Sequence, residues 1–242
     1  VKQIPLPIGP ALQPGFDNFT PGPNAAALQH LHGLVADRDA GFGVRDGAAP
    51  PAPVYLWGPQ GSGKTHLLRA WAAALHARGQ RVAWFDAADP MPWTLQPPGA
   101  AVVIDRCDAL DPTAQHAAFA LFIEAAAQGV QLAAAGRLPP VDLPLRDDLR
   151  TRLGWGHVFA MQPLSEAETR AALRREADRR GIFLSDDVMD HLLTRFPRDL
   201  GCLMRLLDRL DTFGLEKARR ITVPLVRQML AEEGLPEAAA DA

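Results

Sequence analysis

Cysteine is scarce in this 242-residue chain: Cys107 and Cys202 are the only two, far apart and at no metal-ligand spacing. That argues against a cysteine-built metal site and fits a reducing compartment, with both residues read as ordinary buried or half-buried thiols. Long apolar runs are also lacking. No uninterrupted span could cross a bilayer, and the opening VKQIPLPIG has no secretory apolar core, so the chain reads as soluble and cytoplasmic, with no membrane partner. Net positive charge is missing as well: the formal charge is -3 and the pI about 6.2, which removes any overall basic field for nucleic acid and leaves only a local patch open.

What is present is enough chain for one large domain, or a main domain with a satellite. Residues 1–23 are rich in proline and glycine and read as an extended arm. Asn24 offers an N-cap to a helix over residues 25–35, followed by a loose loop through residues 41–53. Strands are expected at residues 54–57, 81–85, 101–104 and 130–135, with helices from His66 to Gly79 and over residues 112–128. This alternation implies a parallel sheet covered on both faces. Beyond Phe159 no strand candidate remains. Ser165 with Glu168 forms a capping box for a helix to Arg180, Ser185 caps a second, residues 198–213 make a third, and Thr222 caps a fourth. The fold class is therefore α/β, a sheet domain followed by a small all-helical lid. The expected boundaries are an arm at 1–13, the α/β domain at 14–160, the lid at 161–235 and a frayed tail at 236–242.

The segment Gly58-Pro59-Gln60-Gly61-Ser62-Gly63-Lys64-Thr65 fits G-x-x-x-x-G-K-[ST], with a strand before it and a helix after. Glycines let backbone N–H groups converge on phosphate oxygens, the helix N-terminus adds its positive end, Lys64 reaches the outer phosphates, and Thr65 can hold Mg²⁺. Asp105, ending an apolar strand, is the natural partner of the metal, either directly or through its bound ligands; the bland alternative is an aspartate that caps the next turn. Asp108 is a weaker candidate in a different register.

The stretches PGFDNFTPGPNAAAL, GPQGSGKTHLL, VVIDRCDAL, LRTRLGWG and PLSEAE, in this order, resemble the AAA+ module of the bacterial initiator DnaA over nearly the whole chain. The resemblance implies an AAA+ P-loop domain with ADP or ATP and Mg²⁺ as ligands. His66, next in the GKTH motif, joins the nucleotide set, and Phe16, Phe19 and Asn24 fall near the base; ordinary core and capping roles stay open for these last three. Arg152 matches the family's arginine finger, which acts on a neighbour's γ-phosphate, with a surface salt bridge as its alternative; Arg150 assists or holds the interface. DnaA carries a helix-turn-helix domain after its lid, and this chain stops before one could begin. Gln3, Ile4, Leu6, Pro7 and Ile8, in QIPLPI, resemble the peptide by which replication proteins dock on the sliding clamp of DNA polymerase III, and Pro5 and Pro7 restrict that segment toward an extended form.

The departures from the family are informative. Arg106 stands where DnaA has a second acid, Arg137 falls near the sensor-1 position, and Gly201 falls where the lid's sensor-2 arginine is expected, with Arg198 or Arg205 as substitutes. Without a base to orient water, intrinsic hydrolysis should be slow or absent. The resemblance thus implies a regulator of replication initiation that binds the DNA-loaded clamp and promotes hydrolysis of DnaA-bound ATP, its own nucleotide serving mainly structure. A self-sufficient ATPase, such as a helicase or clamp loader subunit, and a non-catalytic initiator-like adaptor are the competing readings. Direct DNA contact and assembly into a homo-oligomer stay open.

Overall fold

The computed structural model describes residues 13–39, 50–95, 101–197 and 199–233. They divide between Gln162 and Pro163 into an α/β unit and a helical unit. The α/β unit holds β1 (Val54–Trp57), β2 (Val82–Asp86), β3 (Ala101–Asp105), β4 (Gln131–Gly136) and β5 (His157–Ala160). All pair in parallel, in the order β2-β3-β4-β1-β5. Its helices are α1 (Ala25–Asp39), α2 (Lys64–His76), α3 (Pro112–Ala127) and α4 (Asp147–Gly154).

Side chains alternate across a strand, so one run of apolar residues feeds two cores. Val54 and Leu56 of β1, Val103 of β3 and Ala133 and Ala135 of β4 pack with Leu31 of α1 and Leu67, Leu68, Trp71 and Leu75 of α2. Tyr55, Val102, Ile104, Leu132 and Ala134 face the other way, against Ala118, Leu121 and Phe122 of α3 and Leu149 and Leu153 of α4. Each fully buried leucine here contributes about 1.5–3 kcal/mol through burial. The sheet is a sandwiched layer whose strand ends position the chemistry.

Pattern alone points to four strands, and the structure adds a fifth. β5 pairs only with β1, from Val54 opposite His157 to Trp57 opposite Ala160, and three of its four side chains are exposed. An edge strand with so little burial leaves no apolar signature. Asn24 is not an N-cap: it sits in the 3-10 turn Gly22–Asn24, buried. Its Nδ2 donates to Gln162 O at 2.8 Å, and Gln162 N donates to its Oδ1 at 2.8 Å. The amide thus ties the start of α1 to the chain just past β5.

The helical unit contains α5 (Glu166–Arg179), α6 (Asp186–Arg195), α7 (Leu200–Lys217) and α8 (Val223–Glu232). Leu203, Leu206, Leu207, Leu210 and Phe213 recur along one stripe of α7 and pack with Leu173, Leu192, Val226 and Met229. The Ser165–Glu168 capping box forms in both directions, and Ser185 accepts from Val188 N at 3.4 Å. Thr222 precedes α8 without a side-chain cap bond; Pro224 in the first turn has no N–H to satisfy, which removes one of the donors a cap would serve. The third helix begins two residues later than its periodicity suggests, at Leu200, because Asp199 caps it by accepting from Gly201 N at 3.1 Å. Among the described residues no helix is long and apolar enough to cross a membrane.

Candidate nucleotide site and arginine surface

The phosphate loop leaves β1 and enters α2 through backbone that only glycine adopts readily. Gly58 has φ 152°, and a Cβ there would stand 2.1 Å from Met161 O; Gly63 has φ 90°, and a Cβ there would meet Phe19 Cε2 at 2.9 Å. No side chain caps the start of α2, so its leading N–H groups remain available to an anion. Gly58→Ala is expected to lower stability by about 2–4 kcal/mol through combined strain and overpacking, read as a fall in thermal midpoint.

Lys64 folds over this loop, its Nζ donating to Gly58 O and Pro59 O, both at 2.7 Å, and to Ser62 Oγ at 3.2 Å. Burial holds its pKa below the usual lysine value, Asp105 and Asp108 oppose that shift, and Arg137 adds to it. Thr65 and Asp105, the two expected metal residues, lie together: Thr65 Oγ1 donates to Asp105 Oδ2 at 2.7 Å. Asp105 is almost wholly buried, which raises its pKa against the lowering effect of its hydrogen bonds from Thr65 and Arg106 N. A buried carboxylate beside a hydroxyl is an oxygen pair suited to Mg²⁺, an ion that takes few protein ligands and completes its shell with waters and phosphates.

Asp108 is committed elsewhere. It accepts from Arg137 N at 3.0 Å and from Arg137 Nε at 2.6 Å, joining the turns that follow β3 and β4. Arg106 adopts the left-handed conformation, φ 52°. Its guanidinium reaches to Asp86 at the end of β2, with Nε 2.8 Å from Oδ2 and Nη2 on Oδ1. Hydrogen bonding from Arg106 holds Asp86 below the ordinary aspartate pKa, against a smaller opposing effect of burial. The side chain following the candidate metal carboxylate is thus fastened to the outermost strand, while the phosphate loop follows β1, three strands across the sheet.

Ahead of α1, Phe19 covers Gly63 and tilts against His66 with ring centroids 5.6 Å apart, and Phe16 meets His32 edge-on at 5.4 Å. His66 Nε2 lies 3.0 Å from Asn18 Oδ1 and 3.4 Å from Gly15 O. Both partners are acceptors, so that nitrogen carries the proton. Burial is the main reason that the His66 pKa lies below its ordinary value. The structure brings Phe19 and His66 to the phosphate loop, leaves Asn24 in its bond with Gln162, and adds Asn18, whose partner His66 lies 48 residues away and so leaves no local signal in the sequence.

Arg152 projects from α4, with its guanidinium carbon 5.2 Å from the centroid of Phe119 on α3 and 5.4 Å from that of Trp155. Among the described residues it makes no ion pair. Arg150 pairs with Asp147. In the helical unit, Gly201 lies exposed in the first turn of α7, and Arg205 Nη1 lies 3.6 Å from where a Cβ of Gly201 would be. Arg198 lies outside the described residues, as do Gln3, Ile4, Leu6, Pro7 and Ile8.

A parallel sheet with a glycine-rich loop and GKT after β1 and a buried acid ending β3, followed in sequence by a helical unit, has the layout of a P-loop nucleotide-binding fold. Residues 166–230 match the family model described as Hda, lid domain. Domain III of the replication initiation protein DnaA from Thermotoga maritima is similar with a TM-score of 0.70 at 17% identity, covering 90% of this chain and 95% of that one. AMPPCP-bound DnaA from Aquifex aeolicus matches with a TM-score of 0.66 at 20% identity, over 91% of this chain and 70% of that one. A mutant form of Thermotoga maritima RuvB matches with a TM-score of 0.67 at 17% identity, over 96% of this chain and 77% of that one. The chain thus shares the fold of DnaA domain III, and its residues 166–230 match the Hda lid model.

Proposed function

We propose that this chain is a regulator of replication initiation that supplies Arg152 to ATP held by DnaA, while docked on the DNA-loaded sliding clamp of DNA polymerase III through Gln3, Ile4, Leu6, Pro7 and Ile8. The observation that carries this reading is the state of Arg152: on a chain with an Hda lid, its guanidinium rests on aromatic rings and is neutralised by no described acid. Such a group can stabilise charge on another molecule's γ-phosphate.

Its own site serves a different end. An adenine nucleotide, as in the AMPPCP-bound DnaA relatives, would lie on the 58–65 loop, with Lys64 on its phosphates and Thr65 and Asp105 holding Mg²⁺. The ion would neutralise phosphate charge there. With Arg106 engaged by Asp86, the residue after Asp105 offers no carboxylate to orient water, so the bound nucleotide acts as a structural wedge and ADP suffices.

The test measures turnover of DnaA-bound ATP with DNA-loaded clamp for the parent, Arg152→Ala and Gln3→Ala. Loss of stimulation in Arg152→Ala with clamp binding kept, and loss of clamp binding in Gln3→Ala, support the reading; equal activity in all three rejects it. A self-sufficient ATPase is the second reading, favoured by the Thr65–Asp105 pair. It predicts sustained turnover by the isolated protein in Mg²⁺, where the regulator gives almost none.

A further inference from the structure

Three arginines at or on α4 are held in different ways. Arg146, the N-cap residue, reaches Asp148 at 2.7 Å, and Arg150 pairs with Asp147. Arg152 alone of the three has rings in place of an acid: Phe119 from α3 and Trp155, three residues further along its own chain. Phe119 also has Arg146 at 5.7 Å, but that guanidinium is already neutralised by Asp148.

The difference has a chemical meaning. A carboxylate partner would occupy the planar N–H fork of the guanidinium, and those bonds would have to break before the fork could grip a phosphate. An aromatic face attracts the cation through its quadrupole and uses none of its donors. It also narrows the rotamers of a long side chain in advance, which reduces the ordering cost when the arginine engages its target. Trp155 is 69% exposed, far more than its own packing needs.

We propose that Phe119 and Trp155 are positioning residues that hold Arg152 with its hydrogen-bonding edge free for a nucleotide phosphate on the partner molecule. This rests on the reading of Arg152 given above and adds what keeps that group ready. Neither ring touches the reacting atoms; both act through the guanidinium.

The experiment is single-turnover hydrolysis of ATP on DnaA with DNA-loaded clamp, titrated with the parent, Phe119→Leu, Trp155→Leu, Phe119→Tyr and Arg152→Ala, and with each leucine variant combined with Arg152→Ala. The leucine variants are expected to lower the saturating rate roughly 3- to 30-fold, with the half-saturating concentration within about twofold of the parent's. Phe119→Tyr retains the ring and restores the rate, and the leucine changes add nothing once Arg152 is alanine. Trp155→Leu guards against a folding defect at the half-buried Phe119, because residue 155 is exposed. Parental rates in both leucine variants, with Arg152→Ala inactive, would overturn the positioning role and leave the finger intact. A parental rate in Arg152→Ala would overturn both.

Discussion

Arg152→Ala is expected to reduce the stimulated hydrolysis of DnaA-bound ATP by on the order of 10³-fold or more, the range that a trans-acting arginine supplies. The same change should barely affect the fold. Arg152 has no acidic partner among the described residues, alanine is the better helix former, and the lost ring contacts are worth about 1 kcal/mol. A rate loss of three decades beside a nearly constant thermal midpoint separates function from stability. The measurement is single-turnover hydrolysis with DNA-loaded clamp, alongside thermal unfolding; a rate within threefold of the parent's would end the arginine-finger reading.

The second large effect belongs to Lys64. Its ammonium bonds to Gly58 O and Pro59 O, and phosphate oxygens would replace these carbonyls with charged acceptors. Hydrogen bonds to charged groups contribute about 1.5–3 kcal/mol each, so losing two should weaken nucleotide binding by on the order of 10²- to 10⁴-fold. Lys64→Ala also gives up the two carbonyl bonds in the nucleotide-free protein, so its midpoint is compared with its own nucleotide-free value, and it should lose the stabilisation of about 2.7 kcal/mol that ligand at a hundred times the parent's Kd confers. Thermal midpoints measured across an ADP titration check this: a flat profile for the variant and a rising one for the parent are expected. If the nucleotide is a wedge, as proposed, the variant should also lose stimulation of DnaA while retaining Arg152.

How much of this could be read in advance depended on how local each cause is. The phosphate loop was legible because glycine positions, a lysine and a hydroxyl at fixed spacing describe one backbone shape. The four central strands were legible because burial on both faces demands unbroken apolar runs, as in Ala101–Asp105. β5 was not, because only its pairing with β1 makes it a strand and its exposed side chains carry no pattern. Asn24 reads locally as a cap for the same reason: its partner Gln162 lies 138 residues away, while capping is a local habit of asparagine. At the candidate site, Thr65 and Asp105 followed from motif and strand end. The bonding of Arg106 to Asp86 needed the neighbouring strand, and the rings about Arg152 needed α3 packed beside α4. Residues 3–8, proposed to dock on the clamp, lie outside the described residues, and that proposal rests on the resemblance of QIPLPI to clamp-docking peptides.

The pairing of Arg106 with Asp86 makes placing an acid at position 106 a two-step change. An aspartate tolerates the left-handed backbone there comparatively well, so the backbone itself is no obstacle to restoring an acid. The obstacle is Asp86: with the guanidinium gone, two carboxylates would share the end of the sheet beside a third, Asp105, and mutual repulsion would keep one of them protonated or turned away. An acid at 106 would stay ionised and in place only after position 86 had first surrendered its charge, so the order of the two changes is fixed by electrostatics.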